Sequence, residues 1–436
     1  MKQHREHPLG VPTMPGSRAT PARVEHGLRP ARVTALDRLL VSRLAKAMGS
    51  PAVAYALWDG ADAYTPADPT ETVGRITFRD RRALISSISS PELGFGDCYS
   101  AGRIGIEGDL VRVLFASFRA MAIGGHMAGK RGLFGRLPKP QVNSRDRSRK
   151  HIRHHYDLGN DFYRLWLDDN MVYTCAYYRS QEASLEEAQL EKMHHVCRKV
   201  RLQSGMQVVE AGCGWGSLAM HMAEHYGVRV KAFNISHQQT VYAREQAEAR
   251  GLADRVEFIE DDYRNISGKY DAFVSVGMLE HVGKDNYKTL GDVIHRSLKR
   301  GGLGIVHSVG RSFSAPPNAW LEQRIFPGSY PPSLREMLGI FEPHEFSILD
   351  VENLRIHYAK TLMEWLRRFD DHVDEITRMY DESFVRAWRL YLGGCAAAFL
   401  ASTIQLYQVV IAHPDDNRIP MTREHVYGRD GPDWNL

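Results

Sequence analysis

The 436-residue chain has few of the features that mark secreted, metal-binding or strongly charged proteins. Its five cysteines form no CxxC or other metal-ligand spacing, which indicates a reducing compartment and argues against a structural zinc site. The formal net charge is only +4, so attraction to an anionic partner must come from local clusters. Residues 1–35 lack the apolar core of a secretory signal, and we expect them to form a disordered leader.

Long apolar runs are also scarce, and residues 393–412 are the exception because this uncharged segment is about as long as a membrane span. Its larger apolar side chains recur at helical spacing on one face. Polar residues, among them Ser402, Gln405 and Gln408, interrupt the segment. We therefore predict a buried core helix here, with a membrane span as the alternative.

Positive charge is concentrated in residues 128–153, where nine Lys and Arg side chains accompany the single acid Asp146. Each cation near an anionic leaflet contributes about 1 kcal/mol, so this basic linker is a candidate membrane anchor. A solvated, flexible tether is the alternative interpretation. His151, His154 and His155 lie at the end of the linker, but they lack a carboxylate or cysteine partner at ligand spacing, and we predict no metal site.

The linker separates two regions of different pattern. Residues 36–127 suit a small mixed α/β accessory domain, and residues 154–413 suit a larger catalytic domain followed by a tail over 414–436. Short β-rich runs alternate with helical ones in the larger region, which predicts an α/β fold with a parallel sheet. The predicted strands are 207–210, 229–234, 256–260, 272–276 and 304–307, and the predicted helices are 183–202, 217–226, 237–250, 287–298 and 361–412.

A glycine-rich turn follows the first predicted strand of this sheet. The sequence EAGCGWG begins at Glu210 and places Gly212, Gly214 and Gly216 before a helix, where a ligand can approach the backbone. A dinucleotide site would have GxGxxG and an acid after the next strand, whereas that strand ends in Asn234. The turn resembles methyltransferase motif I, in which Glu210 would face a methionine ammonium and Asn234 the ribose hydroxyls. Alone, it is also compatible with any doubly wound sheet.

Four further stretches occur in order with this motif. They are HYDLGNDFYRLWLDDNMVYTCAYY, VSVGMLEHVG, VHSVG and HYAKTLMEW. Together the five resemble the cyclopropane-fatty-acyl-phospholipid synthase family over residues 150–410, and LGFGDCYSAG resembles the amino-terminal domain of its longer members. The resemblance implies a Rossmann-like class I methyltransferase sheet with a helical lipid-binding cap, beside the small mixed α/β amino-terminal domain.

The resemblance also implies two small molecules, S-adenosylmethionine as cofactor and bicarbonate as the base. The positions that match the bicarbonate site are Cys175, Glu280, His307, Val309 and Tyr358. The positions for the cofactor, including Glu210 of the glycine motif, are Tyr173, Thr174, Glu210, Gly212, Gly214, Asn234, Ile235, Gln239, Asp262 and Tyr263. Taken singly, Cys175 and His307 are better explained as buried structural residues, and only the joint pattern favours a functional role.

The implied chemistry has a physical rationale. An alkene is a weak nucleophile, so it reacts only with a strong electrophile such as a methyl sulfonium, held in line with it in a dry cavity. Methyl transfer leaves a carbocation, and ring closure then needs a base that the cation does not alkylate, which favours a bound small anion. Aromatic faces can stabilise the cation. The candidates are Tyr358, Tyr173, Tyr177 and Tyr178.

Three positions depart from the family pattern: Glu210 replaces Asp, Val309 replaces Ile, and Asn234 stands where Thr is common. The leading interpretation is a cytoplasmic enzyme, peripheral at the inner membrane face, that acts on unsaturated phospholipid acyl chains at an anionic membrane surface. We expect no nucleic-acid partner, and a homodimer is compatible with the sequence. One alternative is a lipid C-methyltransferase that forms a methylene or methyl branch. Another is a non-catalytic lipid carrier or nucleic-acid-binding protein built around the basic linker.

Overall fold

A computed structural model describes residues 32–123 and 158–427 of the chain. The predicted basic linker, the three histidines at its end and most of the predicted leader lie outside these residues. Contacts divide the described part into two compact units, one of residues 32–123, 318–320 and 362–403, the other of residues 158–317, 321–361 and 404–427. The helical residues 362–403 thus group with the amino-terminal residues, while the predicted domain boundaries stay predictions.

The strands alternate with helices through most of the chain. The strands are β1 Ala54–Ala56, β2 Asp62–Tyr64, β3 Gly74–Phe78, β4 Ile104–Gly108, β5 Gln207–Ala211, β6 Arg229–Asn234, β7 Val256–Glu260, β8 Tyr270–Val276, β9 Leu298–Gly310, β10 Ser347–Asn353 and β11 Gln405–Ala412. The α-helices are α1 Ala35–Ala47, α2 Arg81–Ser89, α3 Pro91–Ser100, α4 Leu110–Ile123, α5 Asn160–Arg164, α6 Leu185–Lys199, α7 Ser217–Tyr226, α8 His237–Ala249, α9 Leu279–Val282, α10 Tyr287–Ser297, α11 Leu334–Leu338, α12 Arg355–Asp371, α13 Val373–Met379, α14 Glu382–Leu400 and α15 Glu424–Tyr427.

The first unit contains a four-stranded mixed sheet of order β2-β1-β3-β4. Local signals start its helices: Thr34 and Asp37 form a reciprocal capping box at α1, and the Asp80 carboxylate accepts the Ala83 N–H at the start of α2. Helix α14 of the same unit lies near α3, because Arg386 Nε donates to the Tyr99 carbonyl at 2.6 Å. This unit shows the mixed α/β character that the sequence predicts.

The second unit contains a seven-stranded sheet of order β10-β11-β9-β8-β5-β6-β7. Strands β5 to β9 are parallel, and β11 runs antiparallel to both β9 and β10. The five predicted parallel strands are confirmed, as are helices α7, α8 and α10 between them. The class I Rossmann-like prediction is therefore confirmed. Parallel strands end at the same edge of the sheet, so the glycine turn after β5 and the residues after β6, β7 and β8 share that edge.

The prediction of one helix over residues 393–412 is wrong. Helix α14 ends at Leu400, Ser402 adopts a left-handed φ of 61°, and the chain continues as strand β11. All eight residues of β11 are buried, because it lies between β9 and β10 with helices and loops on its faces. A strand buried on both faces is apolar without alternation, so periodicity could not separate it from a helix. Within the described residues, no helix has the length and hydropathy to span a membrane.

Candidate active site

The glycine turn between β5 and α7 is built so that only glycine fits at two of its positions. Gly212 has a φ of 85° and donates its N–H to the Phe233 carbonyl at 2.9 Å. Gly216 has the same φ, and a Cβ there would lie 2.6 Å from the Phe258 ring. Any side chain would therefore be both strained and overpacked. The turn keeps its backbone open at the start of α7, as a nucleoside-binding loop requires.

Glu210 lies in β5 just before this turn, and it is only 2% exposed. Its Oε2 has no hydrogen-bond partner within the described structure. Burial raises the pKa of this carboxyl to about 8, and only the nearby Lys192 ammonium opposes the shift. A buried carboxylate without a partner is a suitable binding group for a cation. The residue therefore fits the ammonium of a methionine moiety.

Asn234, at the end of β6, connects the glycine turn to helix α8. Its Nδ2 donates to the Gly214 carbonyl at 2.9 Å and to Gln239 Oε1 at 3.0 Å, while its Oδ1 accepts the Ser236 N–H at 3.1 Å. The amide thus fixes the geometry of the loop. Contact of Asn234 and the following Ile235 with the ribose stays a prediction.

Asp262 and Tyr263 follow β7 at the same edge of the sheet. Both carboxylate oxygens of Asp262 accept hydrogen bonds at 2.7 Å from the Arg264 guanidinium, and Asp262 also caps a short 3-10 helix. Burial raises the pKa of the Tyr263 phenol. The arrangement gives Asp262 a clear structural role, and contact of either residue with the cofactor stays a prediction.

Thr174 is held beside the sheet by two side chains of helix α6. Gln189 Nε2 donates to the Thr174 carbonyl at 2.8 Å, and Lys192 Nζ donates to Thr174 Oγ1 at 3.0 Å. A Cβ on Gly277, the residue after β8, would lie 3.0 Å from Thr174 Cγ2. The sequence interpretation did not single out Gln189 or Lys192. The sequence feature that could have identified them is a pair of polar residues, three positions apart, on the buried face of an amphipathic helix.

Glu280 begins a second cluster on the other side of β8. Its Oε1 accepts the Val309 N–H at 2.6 Å, and its Oε2 is buried without a hydrogen-bond partner in the described structure. Burial raises the pKa of this carboxyl to about 7, against the lowering effect of its hydrogen bonds. The side chain is thus close to half-protonated at neutral pH, a state suited to proton transfer.

His307 lies two residues before Val309 on β9, so their side chains are on the same face of the sheet. Gln408 of the neighbouring strand β11 donates its amide to His307 Nδ1 at 3.0 Å, which leaves the ring proton on Nε2. Burial lowers the pKa of the imidazole to about 3, so it is neutral. The sequence interpretation missed Gln408 because it assigned this segment to a helix.

Cys175 Sγ and the Tyr358 backbone N–H meet at one carbonyl, that of Leu354, and contact of the Tyr358 hydroxyl with Glu280 and His307 stays a prediction. Tyr358 N donates to Leu354 O at 3.1 Å, and Cys175 Sγ lies 3.9 Å from the same oxygen. Leu354 N in turn donates to the carbonyl of Leu406, which is paired with Val309 across β11 and β9. Burial raises the pKa of the Cys175 thiol far above its ordinary value, so it is a thiol and not a thiolate nucleophile.

Four tyrosines are candidates for stabilising a cation, and in two of them other side chains already cover the ring. The Tyr177 ring is stacked between the His195 and His357 rings at centroid distances of 4.0 and 4.6 Å. The Lys360 ammonium lies 4.2 Å from the Tyr178 centroid. Tyr173 packs at 5.4 Å from Tyr163 and 5.3 Å from Trp166, which fixes its ring. Tyr177 and Tyr178 are therefore the poorer candidates, and the role of Tyr173 and Tyr358 stays a prediction.

Comparisons with known proteins agree with this geometry. The family model for mycolic acid cyclopropane synthetase matches residues 143–409. A probable fatty acid methyltransferase of Pseudomonas putida is 32% identical over 85% of this chain and 95% of its own. The cyclopropane-fatty-acyl-phospholipid synthase of Escherichia coli K12 is 40% identical over 62% of this chain and 70% of its own. The solved mycolic acid cyclopropane synthase CmaA1, complexed with SAH and CTAB, is 27% identical with a TM-score of 0.58, covering 60% of this chain and 97% of that one.

The family match extends over more than half of the chain and includes both clusters. It spans both the glycine turn with its buried Glu210 and the cluster of Glu280, His307 and Val309. The resemblance read from five sequence motifs is thereby confirmed at the level of the family. The chain belongs to the mycolic acid cyclopropane synthetase family and is an S-adenosylmethionine-dependent methyltransferase.

Proposed function

We propose that this enzyme adds one carbon from S-adenosylmethionine across the cis double bond of an unsaturated phospholipid acyl chain. The products are a cyclopropane acyl chain, S-adenosylhomocysteine and one proton. The observation that carries the proposal is Glu280, whose Oε1 accepts the N–H of Val309 on the strand of His307 and whose buried Oε2 has no hydrogen-bond partner in the described part of the chain. The names of the Escherichia coli and CmaA1 relatives support the acyl-chain substrate.

The cofactor fits the edge of the sheet that carries the glycine turn. Glu210 would hold its ammonium, the open backbone at Gly212 and Gly214 would receive its amino-acid and ribose portions, and Asn234 would keep that loop in place. The bound cofactor supplies an electrophilic methyl group. The protein's part is to orient the acyl chain and to exclude water from the site.

Bicarbonate fits the second cluster because that cluster offers hydrogen-bond donors without a fixed positive charge. His307 is neutral with its proton on Nε2, the Cys175 thiol is protonated, and Tyr358 carries a hydroxyl. A small anion can be held by such donors. With bicarbonate as the base, Glu280, whose pKa is about 7, would help to hold the anion and pass the released proton on to solvent.

A methylene- or methyl-branched product is the second candidate. The Pseudomonas putida relative, which matches this chain over 95% of its own length, is named a probable fatty acid methyltransferase. Both outcomes begin with the same methylation and lose a proton from the added methyl group. For the methylene branch, a hydride first shifts between the former alkene carbons, and a saturated methyl branch then needs a hydride donor that reduces the methylene. The rate of proton removal relative to that hydride shift would decide between ring and branch.

We also propose that the enzyme works at the cytoplasmic face of the inner membrane, where the basic linker would hold it on anionic lipid. The support is the sequence of residues 128–153, with nine cations and one acid. Reversing the charge of Arg145, Arg147, Arg149 and Lys150 should weaken sedimentation with anionic vesicles, most strongly at low salt. Unchanged sedimentation would exclude this anchor.

The test of the enzymatic proposal is expression in a bacterial host that lacks cyclopropane lipids, followed by mass analysis of its acyl chains. We expect unsaturated chains to gain the mass of one CH2. Since a methylene branch has the same mass, the product must then be hydrogenated: a methylene branch takes up hydrogen under mild conditions, and a cyclopropane ring does not. Chains without added mass would contradict the proposal, provided that the protein is expressed and folded.

A further inference from the structure

Three aromatic rings from three parts of the second unit form a face-to-face stack. The Tyr177 ring lies between the His195 ring, at a centroid distance of 4.0 Å, and the His357 ring, at 4.6 Å. The interplanar angles are 20° and 12°. His195 belongs to α6 and His357 to α12, whereas Tyr177 lies in the loop between α5 and α6. The stack therefore connects this loop with two helices.

Hydrogen bonds fix both outer rings of the stack. His195 Nε2 lies 2.7 Å from Glu352 Oε2 on strand β10, and Lys199, one turn later on α6, donates to the same oxygen at 2.6 Å. At the other end, His357 Nδ1 accepts the Tyr178 N–H at 3.0 Å, which leaves the ring proton on Nε2. Neither histidine can turn without breaking a hydrogen bond, so the slot between the two rings has a fixed width.

The same loop contacts α12 at two further points. Ala176 donates its N–H to Thr361 Oγ1 at 3.1 Å, and the Thr361 hydroxyl donates to the His357 carbonyl at 2.8 Å. Cys175 Sγ lies 3.9 Å from the carbonyl that accepts the Tyr358 N–H. The loop and the helix are thus joined where each of them carries a position of the proposed bicarbonate site.

Cys175 and Tyr358 are two of the five positions that we propose for bicarbonate. Cys175 lies two residues before the middle ring of the stack, and Tyr358 directly follows His357, one of the outer rings. We propose that Tyr177 is a positioning residue for the bicarbonate site. Its stacked ring keeps the loop of Cys175 aligned with the helix of Tyr358. The inference rests on the proposed role of bicarbonate and adds to it a residue that acts through its neighbours.

This role differs from stabilisation of the carbocation, for which Tyr177 is one of the four candidate tyrosines. A ring that stabilised the cation would act on the rate of the chemical step and would leave the affinity for bicarbonate unchanged. A ring that positions the donors of the anion acts first on the affinity for the anion. Loss of one hydrogen bond to a charged group weakens binding by about tenfold or more. The two roles therefore predict different changes in bicarbonate dependence.

The first measurement is transfer of labelled methyl groups from S-adenosylmethionine to vesicles of unsaturated phospholipid, at graded bicarbonate concentrations in buffer free of carbon dioxide. Tyr177→Leu removes the aromatic faces and keeps an apolar side chain. The half-saturating bicarbonate concentration should rise about tenfold, while turnover at saturating bicarbonate should stay within about twofold of wild type. Tyr177→Phe retains the stack and should behave like wild type.

The second measurement is binding itself, without turnover. Calorimetric titration of bicarbonate into the complex with S-adenosylhomocysteine, in the absence of lipid, should give a dissociation constant that rises by the same factor in Tyr177→Leu. Affinity for S-adenosylhomocysteine should be unchanged, which also shows that the variant is folded. If Tyr177→Leu does not fold, His195→Leu, which removes one outer ring of the stack, replaces it with the same expected rise.

A second stack in the same unit provides the matched control. The His344 and His295 rings are stacked at 4.4 Å and 12°, and His344 Nε2 lies 2.8 Å from Asp292 Oδ1. This pair repeats the ring contact and the carboxylate partner of His195, but it is formed by α10 and the turn before β10. His344→Leu should leave the bicarbonate dependence unchanged.

Three results would each overturn the proposal. They are an unchanged bicarbonate affinity in Tyr177→Leu, the same rise in Tyr177→Phe or His344→Leu, and a loss of turnover at saturating bicarbonate without a rise in the half-saturating concentration. A wild type that neither binds bicarbonate nor responds to it would instead contradict the bicarbonate role itself, and this inference with it.

Discussion

Replacing Glu280 by glutamine removes the carboxylate from the cluster of Glu280, His307 and Val309, where we propose that the base acts, and it retains the size of the side chain. In the wild type, Glu280 Oε1 accepts the Val309 N–H at 2.6 Å, and a glutamine oxygen can accept the same hydrogen bond. The second oxygen, which is buried and has no partner among the residues that the structure describes, becomes an NH2 donor. The variant therefore tests proton transfer at this position with a small change in packing.

We expect Glu280→Gln to lower turnover strongly and to lower the stability of the fold only slightly. A positioned acid or base contributes about 10² to 10⁴ in rate, so Glu280→Gln should lower turnover by at least about a hundredfold. A buried, unsatisfied NH2 costs about 1 to 3 kcal/mol of stability at most. Affinity for S-adenosylhomocysteine should stay within about twofold, because Glu280 is not part of the glycine turn.

The assay measures transfer of labelled methyl groups from S-adenosylmethionine to unsaturated phospholipid vesicles between pH 5.5 and 9. Burial raises the pKa of Glu280 to about 7, so the carboxyl is protonated below that pH and unable to accept a proton. Wild-type turnover should therefore rise with pH through about 7, and the variant should be slow without that inflection. Glu257→Gln, at an exposed residue of β7 whose carboxylate pairs with Lys231, is the control and should behave like wild type. Full activity of Glu280→Gln, or an unchanged inflection, would refute the assigned role.

Two further predictions concern the glycine turn and the neutral histidine. Gly216→Ala should lower the free energy of unfolding by about 1 to 3 kcal/mol in chemical denaturation and abolish S-adenosylhomocysteine binding. The reason is that the new Cβ would lie 2.6 Å from the Phe258 ring at a residue with a φ of 85°. Gly251→Ala is the control for backbone strain alone, because Gly251 has a φ of 65° and a Cβ there would have open space. His307 should show no titration between pH 5 and 8 in NMR spectra of histidine-labelled protein, because burial lowers its pKa to about 3; a midpoint near 6.5 would show that the ring is solvated.

The parallel part of the sheet could be predicted from sequence because its signals are local. Each of strands β5 to β8 is a short β-rich run followed by a turn or a helix, and the glycine motif marks the turn after β5. Strands β10 and β11 were not predicted, since their partners are distant: Gln408 of β11 meets His307 of β9, 101 residues earlier. A segment buried on both faces gives the same apolar pattern as a helix.

The candidate active site, like strands β10 and β11, depends on contacts between residues that are distant in the sequence. The spacing of His307 and Val309 places both on one face of a strand, but only the family resemblance connected them with Glu280. The proximity of Cys175 to Leu354, 179 residues apart, depends on tertiary structure alone. Lys192 was missed because a lysine in an amphipathic helix is ordinarily exposed, and its burial is visible only in the structure.

We propose that this enzyme builds a cyclopropane ring on an acyl chain, and the structure of the product formed by the purified protein is the strongest test of that activity. The protein would be incubated with S-adenosylmethionine carrying a ¹³C-labelled methyl group, bicarbonate and vesicles of cis-unsaturated phospholipid, and the lipid extract examined by NMR. We expect the label to appear as a ring CH2 bonded to both former alkene carbons. Label in a methyl or exocyclic methylene group, or no label in the lipid, would contradict it.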